Sequence, residues 1–135
     1  MNESSTKKNL RYYTRIKAQL EATVFTVETK ADKGITIAIT NLSRAGLMLS
    51  CNNATLNTIL PNTPTIIPKR PLQITIEFAI PVIATQPVII KTKCNVIYTR
   101  RISHDSFQIG IEFESVENNG YSYIDQYIDN QQQAS

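Results

Sequence analysis

Between Phe107 and Phe113 every second residue is apolar: Phe107, Ile109, Ile111 and Phe113 alternate with Gln108, Gly110 and Glu112. A period of two sends apolar side chains to one face of an extended chain and polar ones to the other, which predicts a half-buried strand. The pattern recurs in Ile35, Ile37 and Ile39 between Thr36, Ala38 and Thr40, and in Ile74, Ile76, Phe78 and Ile80 between Thr75 and Glu77. Ala18–Glu28 (AQLEATVFTVE) and Val88–Arg100 (VIIKTKCNVIYTR) are rich in β-branched residues and read as two longer strands. Asn41–Gly46 breaks the alternation, and Leu47–Cys51 resumes it. Ala31–Gly34 reads as a hairpin turn and Ile102–Ser106 as a polar turn. About six strands joined by such turns predict a mainly β fold, a six-stranded antiparallel β-barrel that leaves few open edges.

Two segments depart from the pattern. Asn52–Pro71 holds Pro61, Pro64, Pro68 and Pro71 among Asn and Thr residues. Proline removes backbone donors, so a long surface loop is expected here, with at most a short edge strand at Thr65–Ile67. Its length alone marks it as a candidate partner surface. Near the C-terminus the period changes. Tyr121, Ile124, Tyr127 and Ile128 are spaced at three and four, which predicts a short α-helix with one apolar face, capped by Asn118 or Asn119, over a barrel mouth or an exposed face. The expected organisation is a flexible polar tail over 1–9, one folded domain over 10–130, and a fraying tail over 131–135.

The chain is 135 residues long, 41% apolar and 19% charged, so a packed core is expected and wholesale disorder is not. No run approaches the roughly 20 apolar residues of a membrane-spanning helix, and Met1–Leu10 is polar with no apolar run behind it. These features predict no membrane insertion and a cytoplasmic location. Cys51 and Cys94 each sit in an apolar stretch and read as buried thiols. No CxxC or Cys/His spacing points to a metal. Lys7, Lys8, Arg11, Arg15 and Lys17 face Glu3 alone within residues 1–20, so a basic arm precedes a near-neutral body in a chain of net charge +3. That suits a small anionic ligand, whereas DNA or RNA binding is not expected, since it favours a basic stripe over the folded surface and outward aromatics.

Signs of catalysis are weak. His104, the single histidine, falls in a predicted turn between Ser103 and Asp105, and sequence neighbours in a turn do not converge as a catalytic triad does. Glu112, Glu114 and Glu117 fall on the outward side of the last strand or just beyond it and read as a solvated face. No catalytic residue, metal ligand or cofactor is assigned.

Two short motifs remain: Arg11-Tyr12-Tyr13-Thr14-Arg15, an RxxxR, and Asn41-Leu42-Ser43-Arg44-Ala45-Gly46, an NxSxxG. Singly, one reads as a solubilising arm and the other as a turn in which Asn and Ser bond the backbone. In this order, ahead of GLMLS, CNVIYTRR, FQIGIEF and YSYIDQYI, they resemble the PilZ domain family, which pairs an N-terminal RxxxR with a downstream (D/N)xSxxG. The likeness runs from Leu10 to Ile128.

The resemblance implies a PilZ-like split barrel, standing alone, that binds cyclic di-GMP without catalysis and passes the signal to a downstream protein effector in motility, biofilm or exopolysaccharide control. It also implies that Arg11, Arg15, Asn41, Ser43 and Gly46 form the site, with Leu10, Tyr12 and Arg44 as secondary candidates. The chemistry is apt. Guanidinium groups bind phosphate oxygens or guanine O6 and N7 in a bidentate way. Asn and Ser, two apart on an extended segment, face one way and can donate and accept. Gly46 permits close approach of a base. Tyr12 or Tyr13 stacking on a base, and long-range attraction by Lys7, Lys8 and Lys17, are weighed against plain packing and solvation. Arg44, between the key positions, fits a surface role better than a ligand contact. Leu10 supplies no further cation, so one ligand per protomer is expected. The alternative is a PilZ-like adaptor that binds protein and no ligand, as in pilus assembly.

Overall fold

The computed structural model describes residues 15–26, 34–60, 72–83 and 86–134. Six strands form in them: β1 (Ile16–Phe25), β2 (Ile35–Leu42), β3 (Gly46–Cys51), β4 (Leu72–Ile83), β5 (Gln86–Ser103) and β6 (Ser106–Val116). Two helices accompany them, α1 (Asn53–Ile59) and α2 (Gly120–Ala134). The strands close into an antiparallel barrel in the order β1-β2-β3-β6-β5-β4. Closure pairs β1 with β4, Ala22 opposite Phe78 and Val24 opposite Ile76, so each strand has a neighbour on both sides. The six-stranded antiparallel barrel expected from the alternation is the fold observed.

The alternating residues line the interior. Val24, Ile39, Leu42, Leu49, Ile76, Ile80, Ile90, Val96 and Ile109 are all essentially inaccessible to solvent. Thr92 shares this interior, and its hydroxyl donates to the Ile76 carbonyl at 2.9 Å, which removes the cost of burying it. Cys94 lies beside it, and burial raises its thiol pKa from 9.0 to about 11, with the Thr92 hydrogen bond opposing the rise. Both cysteines are free thiols, Cys94 buried and Cys51 half-buried.

Each mouth carries a helix. α2 follows the end of β6 and lays Ile124, Tyr127 and Ile128 into the core against β4, β1 and β5. Tyr121, expected on that apolar face, is 43% exposed and meets Phe113 edge-on, ring centroids 6.4 Å apart. Asn119 accepts from the Tyr123 amide at 3.3 Å, and Asn118 takes the left-handed conformation (φ 55°) that Asn tolerates. The helix runs on to Ala134, so Gln131–Ala134 extend it where fraying was expected; Gln and Ala are favourable helix residues.

The opposite mouth holds a correction. Asn52–Leu60 is not part of a loop. Asn52 caps a helix, its side-chain oxygen accepting from the Thr55 amide at 2.8 Å, and Ile59 and Leu60 are buried. The Asn53 amide donates to Asp105 in the β5–β6 turn at 2.9 Å, fixing α1 at that end. The prolines that argued for a loop begin only at Pro61, beyond the helix. The edge strand at Thr65–Ile67 lies outside the described residues, as does most of the Ala31–Gly34 turn. Its last residue, Gly34, has φ 71°, the left-handed region a tight turn requires.

Candidate ligand-binding groove

Two bulges decide which side chains face outward at the β2 and β5 flanks. In β2, Ile39 pairs with Leu49 but Asn41 pairs with Met48, so Thr40 is an extra residue. In β5, Val96 pairs with Ile111 but Tyr98 pairs with Gly110, so Ile97 is extra. An inserted residue shifts the phase of alternation by one. Asn41 would otherwise follow Ile37 and Ile39 into the core, and Tyr98 would follow Cys94 and Val96. Both are instead turned outward, and Leu42 takes the vacated inward phase at 0% exposure.

The result is one row of neighbours across four strands: Asn41 on β2, Met48 on β3, Gly110 on β6 and Tyr98 on β5. Gly110 keeps the row low. A Cβ there would stand 2.3 Å from Tyr98 Cε2, so the tyrosine ring lies directly across the glycine. This outer face forms a groove of about 310 Å³, lined also by Arg15, the Ser43–Gly46 turn and Glu112. Arg15 is exposed and enters from the residue before β1. A cation, an anion, an amide and an aromatic ring thus converge from four chain segments.

The expected site residues divide into three groups. Leu10, Arg11 and Tyr12 lie outside the described residues. Arg15, Asn41, Ser43 and Gly46 all line the groove. Arg44 points elsewhere: its Nε meets Asp125 at 2.6 Å and its Nη2 meets Asp129 at 2.8 Å, so this guanidinium ties the β2–β3 turn to α2.

Within the lining group, Ser43 is placed differently from expectation. Ser43 does not stand on the surface beside Asn41. It is buried, and its hydroxyl oxygen accepts from the amides of Ala45 and Gly46, each at 3.2 Å, while its own amide donates to the Gly46 carbonyl at 2.9 Å. Leu42 ends β2 between the two residues, so the extended spacing that would align them is lost. Ser43 shapes the turn that forms the groove wall. Gly46 is required by protein packing, since a Cβ there would fall 1.9 Å from the Ile111 carbonyl oxygen on β6.

Met48, Tyr98, Gly110 and Glu112 were not singled out from the sequence as groove residues. One signal was present: Gly110 occupies an outward position of the cleanest alternating strand, and a glycine there marks close approach by another group. Glu112, read as part of a solvated face, is exposed and also forms a groove wall. His104 sits in the β5–β6 turn at the mouth opposite the Ser43 turn, its carbonyl accepting from Arg101 at 3.2 Å.

No protein-family model matches the chain. No curated protein matches it. Solved structures do. The inhibitor of motility MotI/DgrA of Bacillus subtilis superposes with a TM-score of 0.68 at 13% identity, covering 91% of this chain and 51% of that one. The PlzA protein of Borreliella burgdorferi, solved in complex with c-di-GMP, superposes with a TM-score of 0.59 at 10% identity, covering 99% of this chain and 58% of that one. The chain therefore spans about half the length of the proteins it superposes on. It shares their fold over that length, and the closed six-stranded antiparallel barrel expected from the sequence is the one it adopts.

Proposed function

We propose that this barrel is a receptor domain for cyclic di-GMP and performs no catalysis. The observation that carries the reading is convergence. Arg15, Asn41 and the Ser43–Gly46 turn, which the motifs pick out far apart in the sequence, line one groove. An arginine beside an amide and an aromatic ring suits a ligand with phosphate anions and purine bases. That PlzA, of similar fold, was solved with c-di-GMP supports the choice of ligand.

In this reading Arg11 and Arg15 clamp the dinucleotide against the groove, one ligand per protomer, and Asn41 meets a base edge. Drawing the arm onto the barrel alters a surface read by a downstream protein in the cytoplasm, and the change is driven by the ligand's preference for the closed form. The adaptor reading, a protein-binding barrel without ligand, draws support from Ile89 and Ile102, 58% and 50% exposed on β5.

Isothermal titration with cyclic di-GMP, cyclic di-AMP and GTP tests the reading. Binding of cyclic di-GMP with a stoichiometry near one is expected, together with a raised melting temperature, because a ligand that binds only the native state stabilises it by mass action. Arg15→Ala is expected to abolish detectable binding with the far-ultraviolet circular dichroism unchanged. A flat titration of the parent at saturating concentrations overturns the receptor reading in favour of the adaptor.

A further inference from the structure

Glu112 is out of place in a groove for a doubly anionic ligand. Its carboxylate lines the same cleft as Arg15, and among the described residues no hydrogen bond or ion pair engages it. A carboxylate near phosphates repels them unless it accepts hydrogen bonds from another part of the ligand. The strand register shows which part. Glu112 pairs with Gly46 on one side and Asn95 on the other, two residues along β6 from Gly110. It therefore stands at the edge of the seat built by Tyr98 and Met48, where a flat base would lie on ring and thioether.

We propose that Glu112 is the residue that selects guanine. Guanine carries two adjacent N–H donors on its Watson–Crick edge, at N1 and N2, and an ionised carboxylate is an acceptor with two oxygens to match them. Adenine offers one N–H there beside the N1 lone pair, which meets the carboxylate oxygen with repulsion. The same side chain thus attracts one purine and rejects the other, while Tyr98 holds either. This inference rests on the cyclic dinucleotide reading above and assigns its base specificity to one carboxylate.

The test is titration of the parent, Glu112→Ala, Glu112→Gln and Tyr98→Leu with cyclic di-GMP and with cyclic di-AMP. Loss of a two-point base contact is expected to weaken cyclic di-GMP binding about tenfold or more in both Glu112 variants. Binding of cyclic di-AMP should be unchanged or improved, so the ratio between the two ligands collapses. Tyr98→Leu should weaken both ligands alike, because stacking reads no edge. Glu112 is exposed, and both of its variants should keep the parent's melting temperature in the absence of ligand. A parent that prefers cyclic di-GMP, with Glu112→Ala keeping that preference, overturns the selector role and leaves the receptor reading intact. A parent that binds neither dinucleotide overturns both.

Discussion

Two glycines on facing strands meet different atoms, and the difference decides what each one does. At Gly46 the nearest atom to an added methyl is the backbone carbonyl oxygen of Ile111, which cannot move without parting β3 from β6. At Gly110 it is the ring of Tyr98, a side chain on the outer face that can swing away. Gly46→Ala is therefore expected to destabilise the barrel by about 1–3 kcal/mol, as overpacking does. Gly110→Ala should cost less and act on the groove, lifting the tyrosine from its seat. Urea unfolding of the two variants should rank Gly46→Ala as the less stable, while titration with cyclic di-GMP should show Gly110→Ala losing affinity with most of its stability retained. The reverse ranking would mean that Tyr98 is held as rigidly as the strand, and so is not the adjustable floor of a site.

At the scale of elements, the barrel was legible in the sequence and the groove largely was not, for one reason. Alternation reports which residues are apolar in a regular strand, and it loses the phase wherever a residue is inserted. The spacing of Ile39 to Leu42 carried a trace of the Thr40 bulge, but Ile97 between Val96 and Tyr98 left none, since all three residues suit either face. The Tyr98 side of the groove was thus hidden while the motif side stood out. α1 was hidden for another reason, the prolines downstream of it. α2 was read correctly from its periodicity, but its tether was not, because Arg44 reaches Asp125 and Asp129 across most of the chain. Both aspartates are more than half exposed, so the pairs are screened and worth at most about 1 kcal/mol each. Arg44→Ala should lower stability by no more than that, with faster amide exchange in α2 and a smaller loss at high salt. Arg44→Lys should restore it only in part, since one ammonium cannot fork between two carboxylates.

The molecule as a whole has one interior that reaches both mouths. Ile59 of α1 and Ile124 and Ile128 of α2 belong to the same buried cluster as the strand residues between them, although the two helices sit at opposite ends. A closed barrel has no free edge from which to open, so damage at either end should weaken one cooperative transition. Ile59→Val and Ile128→Val each remove one methylene from a fully buried site and should each cost about 0.5–1.5 kcal/mol. The two residues sit on helices at opposite ends of the barrel, so the double variant should lose close to the sum, with an unchanged denaturant slope. Cyclic di-GMP supplies the complementary measurement. The groove lies on the outer face and touches neither isoleucine, so saturating ligand should stabilise the parent, both single variants and the double variant by the same increment. A smaller increment for Ile128→Val alone would show that α2 takes part in binding, and would make the Arg44 tether the route by which the ligand reaches the helix.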